Sequence, residues 1–236
     1  TLNGTALDPA AVSDGVRIQL DDLRSDNLLE VVADAMYTNT GEGLHRFVDP
    51  VDNEVYLYSQ FEVPDSRRVF AVFEQPDLKA TFQFTVTAPA NWAVVSNSPT
   101  PEPKGVRDSV STWHFAPTPV LSSYVTAIVA GPYVAVRDEL VSSDGRVIPL
   151  GIFARKSLSQ FLDSDYIFEK TKQGFAFYES QFDYPYPFEK YDQLFVPEFN
   201  AGDMENAGAI TFTESYVFRS KVTDAIKERR VVTILH

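Results

Sequence analysis

Residues 80–89, ATFQFTVTAP, alternate without a break. Phe82, Phe84 and Val86 fall on one face, and Thr81, Gln83, Thr85 and Thr87 on the other. A period of two is that of a strand with one face buried. Runs rich in β-branched and aromatic residues predict further strands within 27–37 (NLLEVVADAMY), 54–63 (EVYLYSQFEV), 92–96 (WAVVS), 111–116 (STWHFA) and 122–140 (SSYVTAIVAGPYVAVRDEL). Turn chemistry separates them at Asp49-Pro50, at Gln75-Pro76-Asp77 and in the proline-rich 99–105. Several short strands with regular turn signals predict a mainly β region of antiparallel sheets, as a sandwich or saddle.

The pattern changes after about residue 135. Residues 143–153 (SDGRVIPLGIF) predict a hairpin turn and a strand. Then Ile167, Thr171, Gly174, Phe175, Tyr178 and Phe182 recur at helical spacing, with Ser164 or Asp165 placed to cap the helix. Pro185 and Pro187 end it. Strands at 193–197 and 209–215 flank an acidic turn, and 221–236 predicts a last helix with Val222, Ala225, Ile226, Val232 and Ile234 or Leu235 inward. The expectation is two domains, a β domain over 1–137 and the start of an α+β domain over 138–236. Because helices usually close on Gly, Asn or a polar turn, the apolar ending Ile234-Leu235-His236 reads as that of a fragment.

Composition narrows the function classes. A hydrophobic content of 44% is that of a folded chain. The 33 acids against 20 bases, with no dense basic run, argue against nucleic acid or an anionic membrane as partner. No apolar run reaches membrane-spanning length. With no cysteine, any metal must take His, Asp or Glu ligands. The same absence fits a reducing compartment, so a cytoplasmic location is expected.

Candidate chemistry gathers in residues 195–218, FVPEFNAGDMENAGAITFTESYVF, where Asp203, Glu205 and Glu214 stand between two apolar strands. The bland reading is a solvated turn shaped by Gly202 and Gly208. The functional reading is that Glu205 receives a ligand's ammonium group through a charge-assisted hydrogen bond. Glu62 closes a strand ahead of Pro64 and Arg67-Arg68, which by itself reads as a surface strand end. His114 reads as an ordinary strand residue, and His45 as a loop residue without a ligand partner. His236 follows an apolar helix, where metalloproteases place His-Glu-x-x-His because positions i and i+4 share a face. Spacing alone leaves a terminal histidine ordinary.

Taken together, YPYPFEKYDQLFVPEFNAGDMENAGAITFTE (184–214), the upstream SQFEVPDSRRVFAVFEQPDLKATF (59–82) and the closing RRVVTILH resemble the zinc aminopeptidases of the aminopeptidase N type. This is the gluzincin family that includes leukotriene hydrolase. The resemblance covers about residues 55–236, with its blocks in the family order. It implies a thermolysin-like catalytic domain begun in 138–236, Zn2+ as cofactor, and removal of N-terminal residues from peptides. By position, Glu205 would bind the substrate α-amino group as the catalytic anchor, with Glu62 completing that site. Ala201 would line the first side-chain pocket. Gly202 and Asp203 would lie against the peptide backbone, within a substrate-binding block that includes Met204 and Asn206. His236 would be the first zinc ligand. The family's remaining ligands and its general base have no counterpart in this sequence, so the chain alone is expected to be inactive. Asp203 stands where the family usually has alanine. Peptides with a free N-terminus are the expected partners, and a monomer is the expected state. The competing expectation is a non-catalytic interaction scaffold of the same fold.

Overall fold

A computed structural model describes residues 1–107 and 109–236. Two compact units divide it, Thr1–Ala35 and Met36–His236. In the first, Asp8 caps a single-turn helix α1 (Pro9–Val12) by accepting from the Ala10 N–H. Residues 27–37, expected as a strand, form none and make only one isolated bridge, Leu2 to Leu29. Val31, Val32, Met36 and Tyr37 are exposed. The run NLLEVVADAM lacks a period-two alternation. With no buried face, β-propensity alone does not make a strand.

The second unit holds three sheets. Strands β1 (Gly43–Val48), β2 (Val55–Gln60), β4 (Ala93–Ser96) and β7 (Ile128–Gly131) form an antiparallel sheet in the order β1-β2-β7-β4. Strands β3 (Thr85–Pro89), β5 (Lys104–Arg107) and β6 (Val110–His114) form a second, ordered β3-β6-β5. The alternation predicted at 80–89 is present: Phe82, Phe84 and Val86 turn inward while Thr81, Gln83, Thr85 and Thr87 face solvent. The third sheet contains β8 (Tyr133–Val141), β9 (Val147–Arg155), β10 (Tyr191–Val196), β11 (Asp203–Met204) and β12 (Ala209–Thr213), in the order β11-β12-β10-β9-β8. In it β9, β10 and β12 run parallel, and helix α2 (Ser164–Phe182) makes the crossover that parallel strands require. Helix α3 (Asp224–Leu235) follows.

The four-stranded sheet is covered on both faces, which explains why β2 reads as a nearly continuous apolar run. Tyr56 and Tyr58 pack with Tyr133, Phe153, Leu194 and Val196 of the third sheet. Leu57, one residue out of phase, packs with Val94, Trp113 and Phe115. The other face of the third sheet packs Ile152, Phe195 and Phe212 against Ile167 and Phe168 of α2 and Ile234 of α3. The β-rich run 122–140 is split by Pro132 into β7 and β8, which belong to different sheets. The domain boundary expected at 137 falls inside β8, which is paired with β9 along its whole length.

Two helix readings change. Asp163, rather than Ser164 or Asp165, occupies the cap position of α2, and its carboxylate accepts from Arg230 Nη2 at 2.9 Å. On α3 the buried residues are Arg230 and Ile234, whereas Ala225, Ile226 and Val232 are exposed. A buried arginine hides the helix's true inner face from a hydrophobicity reading. The Arg230 guanidinium lies 4.5 Å from the Phe218 ring centroid and 5.3 Å from that of Tyr166, and Nη1 donates to Tyr216 O at 3.2 Å. Further along α2, Tyr178 and Phe182, expected inward, border an open apolar groove of about 410 Å³ with Pro185, Ile234 and Leu235.

Candidate active site

Between β10 and β12 the chain must leave the sheet and return in the same direction. It does so through a turn at 197–202, the two-residue β11 and a second turn at 205–208. β11 pairs antiparallel with β12 (Asp203 with Phe212, Met204 with Thr211) and forms the edge of the third sheet. The motif GDMEN therefore sits on a sheet edge, and an extended peptide could pair along it. Met204 is fully buried and pins the edge, while Glu205 projects outward, exposed. Asn206 is buried; its N–H donates to Met204 O at 2.9 Å and its Nδ2 to Thr211 Oγ1 at 3.3 Å. Asn206 Oδ1 has no hydrogen-bond partner among the described residues.

The second turn is clamped from two sides. Asn97, at the end of β4, donates through Nδ2 to Ala207 O and to Val125 O, both at 2.9 Å, and its Oδ1 accepts from the Ala127 N–H at 2.9 Å. The buried Lys190 donates to Gly208 O at 2.6 Å and pairs with Asp192 at 2.8 Å, and Asp192 also meets Arg137 at 2.7 Å. Burial pushes the Lys190 ammonium below its ordinary pKa, against the opposing pull of Asp192. Gly208 has φ +69°, and a Cβ there would lie 2.8 Å from Asn97 O and 3.3 Å from Lys190 O. Only glycine fits between the two clamps.

The first turn is tied to the four-stranded sheet. Glu198 takes φ +54°, unusual for a residue with a side chain, at a cost of roughly 1–2 kcal/mol. Three contacts hold the turn in place. Tyr58 Oη donates to Glu198 O at 3.2 Å, His45 Nε2 meets Glu198 Oε2 at 3.0 Å, and Asn200 Nδ2 donates to Thr40 O at 2.6 Å. His45, expected in a loop without an acidic partner, lies on β1, is fully buried and stacks on Tyr58 at 4.8 Å. Sequence reading missed it because its partner is 153 residues away. The sequence GLHRFV has no apolar–polar alternation, so nothing local marked the strand whose burial alternates in the structure. His114 is the exposed strand residue that was expected.

The other candidate residues fall as follows. Helix α3 brings His236 to the acidic turn, with Nδ1 3.3 Å from Asp203 Oδ2. Burial pushes the Asp203 carboxyl above the usual aspartate range, the nearby Glu205 charge adds to the rise, and His236 opposes it. Gly202 O accepts from the Thr213 N–H at 3.0 Å, and a Cβ on Gly202 would lie 3.3 Å from Thr233 of α3. Ala201 is exposed. Glu62 follows β2 at the end of the four-stranded sheet where Gly43 opposes Gln60; its side chain is exposed and has no hydrogen bond or ion pair among the described residues. Glu214 leaves the candidate set. It is a bidentate partner of Arg155 (2.7 and 3.1 Å), which also bonds the buried Asp49. Burial would raise the Asp49 carboxyl, but bonds from Ser157, the Val51 N–H and Arg155 outweigh it and hold it low.

Comparison with known proteins places the chain in a family. The Peptidase M1 N-terminal domain matches residues 15–125, and the Peptidase family M1 domain matches residues 166–236. The chain belongs to the M1 peptidase family. Aminopeptidase N of Streptomyces lividans is 65% identical over 237 residues, covering 100% of this chain and 27% of that protein. Aminopeptidase Ey of Gallus gallus is 31% identical over 188 residues, or 78% of this chain, and aminopeptidase N of Mus musculus 32% over 185 residues, or 77%; each match covers 19% of the relative. This M1 chain thus spans about a quarter or less of the length of these relatives. Glu205, Asp203 and His236, which the geometry brings to one edge, all lie within the stretch that the M1 domain matches.

Among the described residues, no group of three His, Cys, Asp or Glu side chains is arranged to hold a metal ion. His236 and Asp203 by themselves do not make a zinc site, which takes at least three protein ligands. No helix among the described residues is long and apolar enough to cross a membrane.

Proposed function

We propose that this chain carries the amino-terminus-binding part of a metalloaminopeptidase site. The observation that carries the reading is Glu205, an exposed carboxylate without an intramolecular hydrogen bond or ion pair among the described residues, on a turn clamped by Asn97 and Lys190. With Asp203 beside it, the turn offers a negative pole that, among the described residues, no lysine or arginine fills, His236 alone lying against Asp203. An N-terminal ammonium of a peptide satisfies that pole, and the peptide's first residues lie along the free edge of β11. Glu62 completes the anchor from the four-stranded sheet. Fixing the ammonium sets how far the first peptide bond reaches, which restricts cleavage to that bond.

M1 aminopeptidases are generally zinc-dependent. In this reading His236 would supply one ligand, and the remaining donors would come from outside these residues. The work of the chain itself is binding and orientation.

Titration of the 236-residue chain with leucinamide and with N-acetyl-leucinamide tests the reading directly. Leucinamide should shift the Glu205 backbone amide resonance, and the acetylated compound should not. Glu205→Gln should weaken leucinamide binding by about 10–100-fold, the worth of one charge-assisted bond. Equal binding of both compounds, or no binding, would favour the scaffold reading. Release of chromophore from leucyl and arginyl anilides, by an M1 enzyme of the relatives' length bearing these residues, tests the reaction itself.

A further inference from the structure

The turn Glu198–Gly202 presents Ala201 and Gly202 beside the acidic edge, yet its own residues hold it weakly. Glu198 sits at φ +54°, Ala201 is exposed, and the strand ladder resumes at Asp203. Apart from Gly202 O, which accepts from the Thr213 N–H, what fixes it comes from the four-stranded sheet and the residues leading into it. His45 is fully buried, whereas the Glu198 side chain remains 56% exposed. The Gly41 N–H donates to His45 Nδ1 at 3.0 Å. An N–H that points at Nδ1 requires that nitrogen to be unprotonated, so the ring proton of the neutral imidazole sits on Nε2. Nε2 lies 3.0 Å from Glu198 Oε2, which accepts it. The ring is thus a two-ended link: one nitrogen accepts from the Gly41 turn, the other donates to the Glu198 turn. Asn200 closes the same junction by donating to Thr40 O.

We propose that His45 and Glu198 are positioning residues, and that neutral His45, protonated at Nε2, locks the Glu198–Gly202 turn against the amine-binding edge. This rests on the amine-site reading for its consequence, but not for its geometry. The charged group that faces the ring is Glu198, and the titratable Tyr58 stacks on it. Burial favours the neutral ring, while Glu198 pulls the other way. A second proton on Nδ1 would face the Gly41 N–H, donor to donor, and open the link.

The test uses the 236-residue chain with Glu198→Ala, Glu198→Gln and His45→Asn. Asparagine places an oxygen near the Nδ1 position and keeps the Gly41 bond, but it cannot reach Glu198. Long-range nitrogen–proton spectra of the imidazole at pH 7.5 should show His45 protonated at Nε2 alone. Glu198→Ala and His45→Asn should each speed amide exchange at residues 199–203 by at least tenfold, leaving the β8–β9 hairpin unchanged. Glu198→Gln, whose amide oxygen still accepts, should restore protection. Leucinamide affinity should fall several-fold in the first two variants and recover in the third. A proton on Nδ1, a doubly protonated ring, or unaltered exchange at 199–203 would overturn the proposal, as would equal loosening of the β8–β9 hairpin. If the wild-type chain binds no leucinamide, the amine-site reading fails, and the imidazole and exchange measurements still decide the lock.

Discussion

Replacing Asn97 by leucine is the most direct probe of how the acidic edge is held. The side chain is buried and makes three bonds: two donated, to Val125 O and Ala207 O, and one accepted, from the Ala127 N–H. Leucine keeps the volume and removes all three. Val125 O keeps a partner, because the Ala207 N–H also donates to it at 3.2 Å. Ala127 N–H and Ala207 O are left without that bond, and no other side chain among the described residues bonds them. Two buried backbone groups left unpaired cost about 1–3 kcal/mol each, so the substitution should destabilise the chain by roughly 2–6 kcal/mol. For a domain of this size each kcal/mol moves the melting temperature by about 2–4 °C, which predicts a fall of roughly 4–24 °C. Urea unfolding measures the total, and amide exchange at Ala207 and Ala209 measures where it falls. A loss under about 1 kcal/mol would refute the clamp. So would a larger loss in which exchange at Ala207 and Ala209 rises no more than in the β8–β9 hairpin, since Asn97 would then be an ordinary core residue.

Gly208→Ala should cost at least about 2 kcal/mol, since a left-handed φ and a Cβ pressed to 2.8 Å from Asn97 O act together; Gly145→Ala, with φ +86° and open space around its Cβ, should lose only the conformational part, about 1–2 kcal/mol. Equal losses in urea unfolding would mean that the close approach is not real. Arg155→Met should cost about 3–5 kcal/mol by stranding the buried Asp49 and releasing Glu214, read from the same unfolding curves. His45 is held neutral in the fold and takes a proton near pH 6.5 when unfolded, so the unfolded state binds more protons and stability should fall as pH drops below about 6.5. A His45→Phe variant should lose less between pH 7.5 and 5; parallel curves would show that the ring is not held neutral.

What the sequence disclosed depended on whether the deciding interaction was local. The alternating run 80–89, of which Thr85–Pro89 forms the strand, and the β8–β9 hairpin follow from period-two patterning and from the Ser142–Arg146 turn, both legible in a few residues. The motif GDMEN was legible because its unusual chemistry is contiguous. Its support was not, because Asn97, Lys190 and His45 act on residues 18 to 153 positions away. The inner face of α3 was misread for a physical reason: Arg230 is buried through its ion pair and two aromatic faces, which a hydrophobic pattern scores as solvent-facing. Residues 27–37 failed in the opposite sense, having strand composition but no sheet to join.

The disposition of charge around the turn supports the proposed reading of GDMEN as a site rather than a solvated loop. Lys190, the base clamped beneath it, spends its ammonium on Gly208 O and Asp192, and burial disfavours its charged form. Arg155 is taken up by Asp49 and Glu214, and Arg137 by Asp192. None of these cations is turned toward Glu205. The backbone of the second turn is instead fixed by a neutral amide, Asn97, and by a glycine that only the clamped geometry demands. A loop selected only for solubility has no need of that rigidity, and a structural acid would have been given one of the nearby bases. In the proposed reading the acid, which no lysine or arginine among the described residues meets, is completed by a cation from outside, and a peptide's ammonium is the group that the adjoining free strand edge would align.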